Sequence, residues 1–335
     1  MDTVLVTGAT GFIGSHVCRL LVEQGYHVRV FHRSTSRLQL LEGLPVEHVT
    51  GDLTRPDALP AALTGVDYLI HTAAVLSGNE KTGQMYTVNV EGTRSLMRAA
   101  LAAGVKRVVV TSSVSTLGVP ELPEAEQPQP LLMDENHTWN YKAEYWPYAY
   151  AKYLAELEVQ KAVADGLDAV IVNPTLVFGP GDLYKQTSSL VVQVAQRKVP
   201  FLIEGGLNVV HVADVAAGHL AALQHGKKGE RYILGGENIS IADLITLTAE
   251  ISAAPLPDNI LPAAAARWLS EPLSWFQTFI SAPIPVIMLK LAGYYFYVDC
   301  GKARQSLNWQ PQKNTRQALS EAYDWFNQQG CIQGD

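Results

Sequence analysis

Apolar positions in the first half of the chain fall into short continuous runs, separated by longer stretches where they recur at helical spacing. The runs Thr3–Thr7, His27–His32, Val46–Thr50, Tyr68–His71, Lys106–Thr111 and Ala169–Val172 read as strands. Phe12–Gln24, Gln84–Ala103 and Tyr145–Ala164 read as helices stopped at Gly25, Gly104 and Gly166, because glycine adopts the left-handed end conformation without steric cost. Apolar strands without polar alternation, with helices between them, make a parallel sheet covered on both faces. The expected fold class is α/β, doubly wound.

The pattern changes after Asn173-Pro174. Strand runs thin out, and helices are expected at 188–197, 213–224, 241–252, 262–278 and 314–328. Residues 1–175 are therefore expected to form a nucleotide-binding domain. Residues 176–335 form a smaller, mainly helical substrate domain. Val209–Val212 reads as a strand that rejoins the first domain, with about 207–225 expected to belong to it. The Pro- and Glu-rich segment 119–130 reads as a surface loop. Residues 279–298 are nearly all apolar but contain Pro283, Pro285 and Lys290. At about the minimum length for a span, they are read as a buried helix or pocket wall, not a membrane segment.

Composition narrows the partners. Hydrophobic residues are 47% of the chain, charged residues 17%, and the formal net charge is −7 without a basic cluster. That is a core-forming balance. It argues against nucleic acid and anionic membranes as partners. The cysteines Cys18, Cys300 and Cys331 form no CxxC pair, so neither a disulfide framework nor a Cys-rich metal site is expected. The chain enters its first strand without a basic-then-apolar leader, and a reducing cytoplasm fits best. His211 and Asp214 have a zinc-like spacing, but Asp214 is read as a helix N-cap, with His211 packing between domains.

The first candidate chemistry is Thr7-Gly8-Ala9-Thr10-Gly11-Phe12-Ile13-Gly14, between a strand and a helix. Gly8, Gly11 and Gly14 permit a tight turn, close approach of a pyrophosphate and close helix-on-strand packing, as in Rossmann-type domains. Thr10, Phe12 and Ile13 border that loop. An acidic residue that grips an adenosine ribose is missing from the end of the second strand, which runs His32-Arg33-Ser34-Thr35-Ser36-Arg37. Arg33 and Arg37 suit a 2′-phosphate, so NADP(H) is expected over NAD(H). Asp52-Leu53 follow the third strand where an adenine ring lies, and Asp52 equally suits a cap for its own turn.

Tyr148 and Lys152 are four residues apart in a helical segment and share one face. A phenol titrates near ~10 and is a poor acid at neutral pH, and a neighbouring ammonium brings it towards the working range. The same lysine can hold ribose hydroxyls. Thr111-Ser112-Ser113 closes a strand at the sheet edge where such sites lie, and a serine hydroxyl there can orient a carbonyl oxygen. The aromatic neighbours Tyr141, Tyr145, Tyr150 and Tyr153 leave a packing cluster open as the alternative.

With TGATGFIG (7–14), GDL (51–53), HTAA (71–74), NVEGT (89–93), TSS (111–113), YAYAKYLAE (148–156), NPTLVFGPGD (173–182) and HVADVAAGHLAAL (211–223), the chain resembles the extended short-chain dehydrogenase/reductases over nearly its whole length. The resemblance implies hydride transfer at a carbinol carbon, with Ser113, Tyr148 and Lys152 as catalytic residues. Ser113 is preferred to Ser112 because the family's serine closes this run. It also implies that Thr72, Ala73, Ala74 and Thr111 line the cofactor, that Pro174 and Thr175 meet its nicotinamide end, and that Asn89 buttresses the site. Many members dimerise through a four-helix interface that includes the Tyr–Lys helix, so a homodimer is in view.

Segments 205–220 and 231–244 resemble a dihydroflavonol-reductase-like branch that holds both reductases and proteins labelled sugar epimerases. A nucleotide-sugar diphosphate calls for arginines from the second domain. Here Leu207-Asn208-Val209-Val210 precedes the His-Val motif, and Arg267 is the only arginine between Arg231 and Arg304. Trp268, Trp275, Phe276, Phe279, Tyr294, Tyr295 and Phe296 crowd the same region. The expected function is NADP(H)-dependent reduction of a ketone or aldehyde on a small, largely apolar substrate. A nucleotide-sugar epimerase or dehydratase using bound NAD(P) is the alternative, and a non-catalytic NADP-sensing protein the third reading.

Overall fold

A computed structural model describes all residues except 77–81, 123–129, 185–188, 258, 277–285 and 333–335. Its strands are β1 (Thr3–Thr7), β2 (His27–His32), β3 (Glu47–Thr50), β4 (Tyr68–His71), β5 (Arg107–Thr111), β6 (Ala169–Pro174), β7 (Leu176–Phe178), β8 (Leu202–Ile203), β9 (Gly206–His211), β10 (Arg231–Leu234), β11 (Glu237–Ser240) and β12 (Ile260–Leu261). The helices are α1 (Phe12–Glu23), α2 (Leu59–Leu63), α3 (Thr82–Tyr86), α4 (Thr93–Ala102), α5 (Pro147–Ala164), α6 (Ser189–Ala195), α7 (Val212–His225), α8 (Ile241–Ser252), α9 (Ala263–Phe276), α10 (Val286–Lys290), α11 (Gly301–Leu307) and α12 (Thr315–Gln328).

Seven parallel strands form the large sheet in the order β10-β6-β5-β4-β1-β2-β3. The order reverses between β1 and β4, which opens a crevice at their carboxyl ends. Apolar side chains alternate between two cores. Val4, Val6 and Val30 pack on the α1 and α7 side, whereas Leu5, Leu69 and Val110 pack on the α4 and α5 side. Both faces are buried, which is why these strands read as unbroken apolar runs. Gly25, Gly104 and Gly166 stop their helices at φ of 81°, 71° and 115°.

One expectation is refined and one corrected. The strand expected at Val209–Val212 does not pair with the large sheet. β9 lies instead between β7 and β11 in a three-stranded sheet, and the place beside β6 is taken by the apolar β10, paired from Arg231 to Leu234. The region expected to rejoin the first domain packs on its core through Val210 at the end of β9 and through Val212, Val215 and Ala216 of α7. Second, Asp214 is not an N-cap. The cap of α7 is His211, whose Nδ1 accepts from Ala213 N–H at 2.9 Å. Its extended backbone ends β9, so the helix starts one residue later. Asp214 lies inside the first turn and accepts from the amides of Gln312 and Lys313. His211 Nε2 bridges to Glu321 on α12 at 3.0 Å. No group of three or more metal-ligating side chains is found among the described residues.

The helix expected over Gln84–Ala103 is observed as α3 and α4 joined by a π-helical turn, Thr87–Gly92. Much of the 119–130 loop and residues 279–285 of the apolar stretch lie outside the described residues. Among the described residues, no helix is long and apolar enough to cross a membrane.

Candidate active site

The crevice is built from backbone. Gly8 turns the chain out of β1 at φ 72°. A Cβ on Gly8 would lie 2.5 Å from Ala73 N, and one on Gly14 would lie 2.2 Å from the Gly8 carbonyl oxygen. Thr72 donates its amide and its hydroxyl to Thr7 O, at 3.0 and 2.8 Å. The loop after β1, the loop after β4 and the first turn of α1 therefore meet without side chains between them. Gly11 is the N-cap of α1 and offers no side-chain cap. The first amides of the helix stay available to an anion, and the helix dipole favours one there. Thr10, Phe12, Ile13, Ala73 and Ala74 border this cradle, all partly exposed. A dinucleotide pyrophosphate fits it, because any side chain at Gly8 or Gly14 would fill the space.

At the end of β2, Arg33 and Arg37 are exposed, and neither forms an ion pair among the described residues. Asp52 caps its own turn, accepting from the Thr54 amide at 2.9 Å and hydroxyl at 2.8 Å. Partial burial opposes ionisation, yet those bonds and the charges of Arg33 and Arg55 hold the carboxyl below its ordinary range. Leu53 is buried, its Cβ beside Gly92 of the π turn.

The second cluster stands at the end of β5. Tyr148 and Lys152 lie in the first turns of α5, which Pro147 opens at a position where its missing N–H costs nothing. Lys152 is buried and donates to Thr111 O at 2.8 Å. Burial presses its ammonium down to about 8, with Glu156 acting in the opposite direction. Tyr148 is partly exposed, packs against the Met85, Val90 and Ala151 cluster, and has the Ser113 hydroxyl as its polar neighbour. Desolvation of its hydroxyl pushes the phenol up to about 12 against the pull of that neighbour. Ser113, and not Ser112, meets Tyr148. The Ser112 hydroxyl is buried without a protein partner.

Two histidines and an asparagine not singled out in the sequence, together with the expected Asn89, hold this cluster. His71 Nδ1 lies 2.7 Å from Thr7 Oγ1 and its Nε2 3.0 Å from Thr93 Oγ1. Thr93 spends its proton on Asn89 O, so His71 donates from Nε2 and accepts from Thr7. His219 donates from Nδ1 to Val215 O and accepts the Thr111 hydroxyl at 2.6 Å. Thr111 thus offers a ligand its lone pairs, not its proton. Burial lowers both imidazoles, to about 3 and about 4, so both are neutral. The Asn89 amide clasps the backbone of Val75 at 2.8 and 2.9 Å. Beneath Ser113, Asn173 Nδ2 donates to Ser113 O at 3.0 Å and to Glu156 Oε1 at 2.7 Å, and Arg231 reaches Glu156 at 3.3 Å. Pro174 is buried at the end of β6, and the Thr175 hydroxyl turns away to Asn208 Oδ1 at 2.8 Å. The sequence signal for the histidines is slight: each is paired with a threonine far away in the chain.

An apolar wall adjoins the cluster. Trp146, just before α5, packs edge-on against Phe296 at 6.0 Å, and Phe296 adjoins Tyr294 at 6.5 Å. Arg267 is turned to Ala292 O, 2.6 Å away, and Lys290 to Glu271 and the Tyr145 ring. Trp268 is 73% exposed and does not belong to this wall.

Comparison with known proteins agrees with this architecture. Residues 4–235 match the NAD dependent epimerase/dehydratase family. The chain is 37% identical to a putative dihydroflavonol 4-reductase of Synechocystis sp., covering 99% of this chain and 96% of that protein. The crystal structure of gox2253 superposes with a TM-score of 0.86 at 36% identity, over 99% of this chain and 100% of that one. PA4631 of Pseudomonas aeruginosa, a nucleoside-diphosphate-sugar epimerase, superposes with a TM-score of 0.81 at 26% identity, over 99% of both chains.

Proposed function

The chain belongs to the NAD dependent epimerase/dehydratase family, within the extended short-chain dehydrogenase/reductases, and from that premise we propose an NADP(H)-dependent reductase of a ketone or aldehyde on a small, largely apolar molecule. The observation that carries the proposal is the meeting of Ser113, Tyr148 and Lys152 at the end of β5, next to the glycine cradle of α1. When bound, the nicotinamide supplies the hydride that adds to the carbonyl carbon. Tyr148 gives its phenolic proton to the carbonyl oxygen, completing the alcohol, and takes a proton back from solvent. Burial pushes the phenol up to about 12, so it is protonated at neutral pH but a weaker acid than the Tyr–Lys spacing predicts, and Lys152 is not among the groups that shift it. Ser113 polarises the carbonyl oxygen. Lys152 holds the ribose hydroxyls.

The cofactor preference rests on Arg33 and Arg37, free to take a 2′-phosphate, with no carboxylate ending β2. The substrate class rests on the wall of Trp146, Phe296 and Tyr294, and on Arg267 being engaged by Ala292 O. The likeness to PA4631 favours nucleotide-sugar epimerisation as the competing reading. Fluorescence titration with NADPH and NADH, then a screen of aldehydes, ketones and nucleotide-sugars, separates the two. NADPH consumed by apolar carbonyls is the expected result. No net consumption, with a nucleotide-sugar converted to its epimer, would overturn it.

A further inference from the structure

We infer that Glu156 is a positioning residue for Ser113, acting through the side-chain amide of Asn173. Glu156 lies on α5 one turn beyond Lys152 and two beyond Tyr148, so the three residues share one face of the helix. It is 6% exposed, and a carboxylate so buried costs stability unless it is paired and hydrogen-bonded. Its Oε2 takes Arg231 Nη1 at 3.3 Å. That is the looser contact, because Arg231 also donates from Nε and Nη2 to Glu135 O at 2.9 and 2.7 Å. Its Oε1 takes Asn173 Nδ2 at 2.7 Å and the Thr116 hydroxyl at 2.8 Å.

The number of protons shows what this oxygen decides. Thr116 has one hydroxyl proton and two acceptors in reach, Glu156 Oε1 at 2.8 Å and Ser113 O at 2.9 Å. The carboxylate is the stronger acceptor and takes it. The Asn173 amide has two protons. One goes to Glu156, and the other lies 3.0 Å from both Ser113 O and Thr116 Oγ1. The amide's own Oδ1 is buried with no partner among the described residues. Turned over, the amide would set that oxygen against the carboxylate and the Ser113 carbonyl. Glu156 thus fixes which way Asn173 points, and Asn173 ties Ser113 O to the end of β6. Ser113 leaves β5 with an extended backbone, φ −158° and ψ 148°, so holding its carbonyl also sets where its side chain stands. An apolar residue in place of Glu156 could fill the same space without loss of stability, but it would leave Asn173 free to turn.

The inference rests on Ser113 acting at the substrate carbonyl oxygen, and its first readout needs no substrate. Ser113-Val114 is the only Ser–Val step in the chain. Full-length protein made with serine isotope-labelled at the carbonyl carbon and valine at the amide nitrogen therefore gives one carbonyl–amide cross-peak by NMR, and that peak reports the Ser113 carbonyl. In Glu156→Leu the peak moves. With NADPH and the aldehyde or ketone that wild type reduces fastest, kcat falls about tenfold, the worth of one hydrogen bond, while the NADPH Kd stays at its wild-type value. Glu156→Gln keeps an oxygen on Asn173, because the looser Arg231 contact yields first, so it restores the peak and most of kcat. Glu156→Met serves if the leucine variant does not fold. A peak unmoved in the leucine or methionine variant, a glutamine variant displaced as far as the leucine one, or a displaced peak with unchanged kcat overturns the inference, and Glu156 is then only a brace between α5 and β10. A wild type that reduces no aldehyde or ketone would instead remove the reductase reading, while the peak still reports whether Glu156 holds Ser113, so the two failures are distinguishable.

Discussion

Gly14→Ala tests the cofactor cradle with the smallest possible addition. The new Cβ would stand 2.2 Å from Gly8 O and 2.7 Å from Thr72 Oγ1. Ordinary carbon–oxygen contact needs roughly 1 Å more than that. Gly8 O cannot simply retreat, because it accepts Gly11 N–H at 2.9 Å and Gly8 itself abuts Ala73. Either α1 rises off the sheet or the turn opens, by about 1 Å. Overpacking of this kind costs about 1–3 kcal/mol of stability. A 1 Å misplacement of binding groups costs about a hundredfold in function, or roughly 2.7 kcal/mol. NADPH fluorescence titration of the variant should show a Kd about a hundredfold weaker, with a lower Tm. A Kd within about threefold of wild type, in a folded variant, would show that the amides of α1 do not hold the pyrophosphate.

Three further outcomes follow from the same geometry. Tyr148→Phe should lower turnover by about 10²–10⁴ while NADPH binding stays near wild type, and wild-type turnover would sink the assignment. Replacing Arg33 and Arg37 by alanine should weaken NADPH by about tenfold per residue and leave NADH unchanged; equal NADPH affinity in the double variant would mark them as mere surface charges. Lys152 titrates at about 8 in the fold against about 10.4 unfolded. Between those values the unfolded chain binds more protons, so stability rises with pH across that window. Lys152→Met should therefore melt higher than wild type at neutral pH, by up to about 3 kcal/mol, with the margin shrinking as pH rises. A variant that melts lower at every pH would refute the burial argument.

What could be read along the chain was local. The six sheet strands of the first half sit where their apolar runs predict, and glycines end the helices at positive φ, because both features depend on a residue and its near neighbours. The glycine loop was legible for the same reason: one turn of strand and one turn of helix enforce it. So was the Tyr148–Lys152 spacing, a property of a single helical face. The π turn was not, since Thr87–Gly92 continues an ordinary helical pattern, while its Asn89 side chain bonds the distant backbone of Val75.

Tertiary structure decided what depends on meetings across the chain. β9 and β10 are both short apolar runs, and competition for the edge beside β6 settled which joined the large sheet. His71 and His219 look scattered in the sequence, yet each is held neutral by burial and hydrogen-bonded to a threonine from another element. Ser115 is two residues from Ser113, but only the folded turn brings its hydroxyl onto Ser113 Oγ. The sequence by itself determined a parallel sheet, a dinucleotide loop and a tyrosine–lysine face, because periodicity and backbone sterics are written locally. The protonation of that tyrosine and lysine belongs to the structure, because desolvation depends on everything packed around a group and not on its neighbours in the chain.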